Sequence, residues 1–171
     1  MAKQELQSLF TADEYKANFK VNKNGKSEHE IQVDVCQYIK KRYPDVIFTS
    51  DLASGMNLGA HVGGMNTRLR SSKSIPDVTV YEPKNSDLFE NGILFCGLLI
   101  ELKRDGVKLK RDKDAKKILK DDYKLRLKGD WYDLHIEEQA LMHERLRRKF
   151  YKVEFACGYD EAIKLIDEYL K

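Results

Sequence analysis

The stretch Ile93-Leu94-Phe95-Cys96-Gly97-Leu98-Leu99-Ile100-Glu101-Leu102-Lys103 constrains the fold more than any other in the chain. It is apolar almost without a break, so it reads as one long strand buried on both faces, too continuous for a half-exposed hairpin. Only Gly97 marks a bulge or break within it. Residues two apart in a strand share a face. Leu99, Glu101 and Lys103 therefore project one way, and Ile100 and Leu102 the other. A carboxylate and an ammonium on one buried face are costly unless they pair or hold something.

A second apolar run, Ile75-Pro76-Asp77-Val78-Thr79-Val80-Tyr81, predicts a strand that could lie beside the first, ended by Glu82-Pro83-Lys84-Asn85. Asp77, at its start, brings another carboxylate to the place where Glu101 sits. Two acidic oxygen donors with room for waters are hard ligands that favour Mg2+ or Mn2+ over zinc. Such an ion acidifies its bound water and polarises a phosphoryl oxygen, while Lys103 orients the nucleophile and offsets developing negative charge. That chemistry is phosphodiester hydrolysis.

The elements around these runs predict how the site is enclosed. Ser27 with Glu30 forms a capping-box signature that opens a helix with the stripe Ile31, Val35, Tyr38 and Ile39, ending before Pro44. Glu28 falls on that core-facing stripe, whereas Glu30, Asp34, Gln37 and Lys41 share a face toward solvent. Val46 to Thr49 reads as a short strand. Asp51 to Ser74 is a glycine-rich loop ending in Arg68, Arg70 and Lys73, suited to clamping a phosphate backbone. Asp112 to Leu127 shows apolar residues at roughly helical intervals. The helix from about Leu134 to Lys149 puts Ile136, Gln139, Met142, Leu146 and Phe150 on one stripe, which aims Gln139 at the sheet. Val153 to Cys157 is a last strand, and Gly158-Tyr159 turns into a final helix with Ala162, Ile163, Ile166 and Leu170 inward. Lys3 to Phe19 predicts one or two short peripheral helices. The order of elements is that of an α/β sandwich with a mixed sheet, residues 27–171 forming the domain and 1–26 an extension.

Charge and cysteine usage bound the function. The 171 residues carry 31 Lys/Arg against 28 Asp/Glu, a net +3 that says little about partners. Between Lys103 and Lys128, however, twelve Lys/Arg face five Asp, a local excess of seven positive charges that includes Arg104, Lys108, Lys110 and Arg111. This asymmetry fits a surface for a polyanion and, for the segment taken alone, equally a solvated helical face. Cys36, Cys96 and Cys157 are far apart and never form CxxC, which excludes a disulfide framework or zinc knuckle and predicts small buried residues in a reducing, cytoplasmic compartment. No apolar run is long enough to span a bilayer. His29, His61, His135 and His143 do not converge by spacing, which disfavours a metal-independent ribonuclease using a histidine base; His61, in the glycine-rich loop, leaves that reading open.

Ile75-Pro76-Asp77 followed by Ile100-Glu101-Leu102-Lys103-Arg104 resembles the PD-(D/E)xK nuclease signature. With Glu28-x-x-Ile31-Gln32 before it, and Glu138-Gln139 and Gly158-Tyr159-Asp160-Glu161-Ala162 after it, the series is similar to the VRR-NUC (virus-type replication-repair nuclease) branch over about Ser27 to Leu170. The resemblance implies a restriction-endonuclease-like α/β/α core. It implies Asp77, Glu101 and the Leu102 carbonyl as metal ligands, Lys103 as assistant to the nucleophile, and Glu28 and Gln139 as further site residues. It also implies Mg2+ as cofactor, with Mn2+ able to substitute, and a homodimer acting on branched DNA such as four-way junctions in a bacterial or phage-infected cell. The competing expectation is a nucleic-acid-binding or scaffold protein that keeps the fold without activity. Two departures from the compact pattern bear on substrate choice and dimer geometry: 24 positions separate Asp77 from Glu101, and the basic segment is long.

Overall fold

The computed structural model describes residues 25–51, 68, 71–72, 74–86, 92–117 and 124–171. The expected helices of Lys3 to Phe19 and most of the glycine-rich loop lie outside these residues.

Ser27 starts the first helix, α1 (Glu28–Arg42), with both halves of the capping box in place: its hydroxyl accepts from the Glu30 N–H, and the Glu30 carboxylate accepts from the Ser27 N–H. Ile31, Val35, Tyr38 and Ile39 are buried as the stripe predicts, and Gln32 and Asp34 are buried with them. Asp34 thus departs from the solvent face expected for it, because Lys26 folds back to pair with it. Four strands follow: β1 (Phe48–Ser50), β2 (Val78–Val80), β3 (Lys84–Asn85) and β4 (Ile93–Phe95). The remaining elements are β5 (Gly97–Lys103), α2 (Leu134–Arg147), β6 (Tyr151–Cys157) and α3 (Tyr159–Leu170).

The main sheet runs β1-β2-β5-β6, antiparallel except for the parallel pair β5/β6. All seven residues of β5 are buried, because helices cover both faces. On one face Leu98, Ile100 and Leu102 join Val78, Val80 and Ala156 against Ile31, Val35 and Ile39 of α1 and Ala162, Ile166 and Tyr169 of α3. Each large aliphatic side chain gains roughly 1.5–3 kcal/mol on burial, so this seam holds α1 and α3 to the sheet. The opposite face, with Leu99, Glu101 and Lys103, meets α2. The result is the α/β/α arrangement with a central mixed sheet expected from the sequence.

Several local expectations change. The long strand breaks at Cys96, whose N–H bonds Phe150 rather than the sheet, and β4 pairs with β3 in a separate two-stranded sheet. Gly97 marks the crossing: a Cβ there would stand 2.6 Å from the Val80 carbonyl oxygen, so only glycine permits this approach. Asp112 to Leu127 is not helical in its described parts. Arg111 and Ala115 instead donate to the carbonyls of Asp130 and Arg126, and Lys110 bridges Trp131, so two arms run antiparallel. Apolar residues at helical intervals misled here because charged neighbours left no continuous face to bury. α2 ends at Arg147, which leaves Leu146 half-buried and Phe150 exposed at φ 64° rather than inward. Cys36 and Cys157 are half-buried, while Cys96, expected inside, is exposed at the strand break. No helix among the described residues is long and apolar enough to cross a membrane.

Candidate functional site

The antiparallel register of β2 and β5 pairs Val78 with Ile100, so one step further brings Asp77 level with Glu101. The Asp77 Oδ2 accepts from the Leu102 N–H at 2.8 Å, and the Asp77 carbonyl accepts from the Asp51 N–H at 2.8 Å. These bonds fix the carboxylate where β1, β2 and β5 meet. Glu101 is only 3% exposed. Its Oε1 accepts from the Lys103 Nζ at 2.8 Å and also from the Gln139 side-chain NH2. Asp77, Glu101, Lys103 and Gln139 are all buried, and Gln139 points at the sheet as its place on the apolar stripe of α2 predicts, meeting Glu101 there.

Burial raises the pKa of Glu101 to about 8, with the Asp77 carboxylate pushing the same way, Lys103 opposing, and Glu28 adding a smaller upward push. Two like charges buried side by side disfavour each other's ionisation. A divalent cation would relieve this conflict, and the all-oxygen donors suit a hard ion. Among the described residues no group of three or more His, Cys, Asp or Glu is placed to hold one. An ion here would therefore rest on the two carboxylates, a backbone carbonyl and water. The Gln139 Oε1 is buried without a partner, a further sign of polar capacity not yet used.

Glu28 is the first residue of α1 and half-buried, whereas Glu30 is exposed in the capping box. Its charge adds a small upward push to both Glu101 and the Cys157 thiol, residues near the carboxyl ends of β5 and β6. Gly158 closes that end. It has φ +90°, which L side chains rarely adopt, donates its N–H to the Lys103 carbonyl at 2.9 Å, and lies close to the Asp105 side chain, whose Oδ1 would stand 2.9 Å from an added Cβ.

Two buried residues were missed. Gln32 donates to the Ser50 hydroxyl and the Asp51 carbonyl, tying α1 to the end of β1; its spacing from Glu28, Val35 and Ile39 could have revealed it. His143 is 1% exposed and packs its ring 4.3 Å from that of Phe155. It stands four residues after Gln139 on the buried side of α2, a signal that a search for converging histidines overlooks.

The candidate phosphate-binding cations divide. Arg68, Arg104, Lys108 and Lys110 are exposed and Arg111 is half-buried; Arg70 and Lys73 lie outside the described residues. Lys110 Nζ stands 3.2 Å above the Trp131 ring, and the Arg111 guanidinium 5.2 Å from the Tyr132 ring. Arg126 is no surface cation: it is buried, bonding the Glu137 carboxylate at 2.9 Å and the Trp131 carbonyl at 3.3 Å.

No family model and no curated protein matches the chain. Among solved structures, a VRR_NUC domain protein superposes with a TM-score of 0.52, covering 85% of this chain and 89% of that one at 17% identity. At that identity the likeness is one of fold, to the VRR_NUC domain.

Proposed function

We propose that the chain is a Mg2+-dependent endonuclease that hydrolyses phosphodiester bonds in DNA, selective for branched forms such as four-way junctions. The observation that carries this reading is the buried carboxylate pair, Asp77 and Glu101, set level across β2 and β5 with Lys103 bonded to the second. In a purely structural core such a pair costs several kcal/mol in desolvation and repulsion, on the order of what a buried charge demands. The VRR_NUC fold of the structural neighbour supports it.

Asp77, Glu101 and the Leu102 carbonyl would hold Mg2+ or Mn2+, which supplies an acidified water and polarises the phosphoryl oxygen. Lys103 orients the attacking water and offsets the charge that builds on the phosphate. Gln139 holds the Glu101 carboxylate by its NH2, and Glu28 adds negative charge nearby. Arg68, Arg70, Lys73, Arg104, Lys108, Lys110 and Arg111 contact the DNA backbone. With no base-reading element, selectivity comes from shape, and two copies acting as a homodimer fit a two-fold junction.

The test is a synthetic four-way junction and a linear duplex of the same sequence, each incubated with Mg2+ or with EDTA. Wild type should cut the junction only with the ion, and Glu101→Ala should bind it without cutting. If both proteins bind and neither cuts, the chain is a binding or scaffold protein built on a nuclease fold.

A further inference from the structure

On the inner face of α2, the Gln139 Oε1 and both ring nitrogens of His143 are buried without a hydrogen-bond partner. The two residues are four apart, so their side chains lie on one face, and long helical side chains lean back toward the helix start. The imidazole therefore lies over the turn that carries Gln139. The ring packs tilted against that of Phe155, the β6 residue paired with Glu101, on the face of the sheet that carries the carboxylate Gln139 bonds. Burial, with Arg147 and Lys103 nearby, lowers the imidazole to about 4, so near pH 7 it is neutral and offers one N–H donor and one acceptor. Gln139 has spent an N–H on Glu101 and has a carbonyl left over. A donor and an acceptor stand unpartnered on the same patch, each matching the other's need.

We propose that His143 is a positioning residue of the site: its ring N–H is linked to the Gln139 side-chain carbonyl through one buried water, and this bridge locks the amide with its NH2 toward Glu101. Without that bridge the amide can rotate and present its oxygen to a carboxylate, which repels it. The functional part of the inference rests on the nuclease reading. The bridge itself does not.

His143→Phe keeps a ring against Phe155 without a donor, and His143→Gln restores an amide donor. In NMR spectra, the Gln139 side-chain NH2 protons, assigned by their loss in Gln139→Ala, should exchange slowly with solvent in wild type and His143→Gln and rapidly in His143→Phe. In junction cleavage, His143→Phe should lower kcat about tenfold, the equivalent of ~1.4 kcal/mol, at unchanged KM. His143→Gln should recover most of it, and in a Gln139→Ala background His143→Phe should add nothing. The proposal is overturned if His143→Phe matches wild type in amide exchange, if glutamine does not rescue, or if the two losses add in full. Should His143→Phe not fold, the ring 15N shifts of wild type decide: a single slowly exchanging tautomer supports the bridge, and an averaged pair refutes it. If wild type itself does not cut DNA, the nuclease reading falls while the amide and imidazole signals still judge the His143–Gln139 bridge.

Discussion

Replacing Glu101 by glutamine removes a charge that the ion-free fold must otherwise suppress. Glu101 ordinarily titrates at 4.5 and is raised to about 8 in the fold. Because the folded value lies above the unfolded one, its favourable contribution is fully present below about pH 4.5 and is lost as pH climbs toward about 8. Near pH 7 the unfolded chain has released a proton that the folded chain retains. At ~1.36 kcal/mol per pKa unit, that difference costs the native state about 3 kcal/mol. Glutamine keeps the shape and has no proton to lose, but it sets an extra NH2 donor beside the Lys103 ammonium and the Gln139 NH2, so a net gain of about 2 kcal/mol is the sounder expectation. For a domain of this size that is roughly 4–8 °C in Tm. Thermal and urea melts in EDTA should therefore show Glu101→Gln more stable than wild type near pH 7, the advantage widening toward pH 8 and shrinking to almost nothing near pH 5. A glutamine variant that is less stable near pH 7, or an advantage that ignores pH, would refute the electrostatic account of the site.

Further outcomes follow from the same geometry. An ion that needs Glu101 ionised must displace its proton, so Mn2+ affinity should fall roughly tenfold per pH unit below about 8, and calorimetry in two buffers of different ionisation heat should record a proton released near pH 6.5; equal heats in the two buffers contradict this. Gly158→Ala forces a side chain into φ +90° against Asp105, at a cost of roughly 1–3 kcal/mol, and an unchanged Tm would show that the turn relaxes freely. Replacing Arg104, Lys108 and Lys110 together by alanine should reduce the salt dependence of DNA binding by about 2–3 in slope, whereas Arg126→Ala should lower stability and leave that slope alone. The reverse pattern would mean that the exposed cations are merely solvated.

What could be read from the chain and what could not divide along physical lines. β5, α1 and α3 were legible because burial imposes a period: a continuous apolar run for a strand covered on both faces, and a 3.6-residue stripe for each helix. Gln139 and Glu101 were legible for the same reason, as polar residues breaking an apolar pattern. His143 and Gln32 broke the pattern too, and their spacing of four from Gln139 and Glu28 was the local signal; what spacing does not report is the partner each meets across the sheet, Phe155 and Ser50. The segment from Asp112 to Leu127 failed because its described arms pair with each other and with the stretch just after it. The Arg126 carbonyl is bonded by Ala115, and its guanidinium by Glu137, and tertiary pairing of this kind overrides helical spacing. Asp34 failed through a partner that precedes its helix, Lys26.

The central claim is that Asp77 and Glu101 share one divalent cation. Anomalous diffraction from a crystal soaked in Mn2+ tests it most directly. The account predicts a peak between the two carboxylates and the Leu102 carbonyl, present in wild type and absent from Asp77→Asn. Mn2+ bound elsewhere, with the Lys103–Glu101 pair undisturbed, would contradict it.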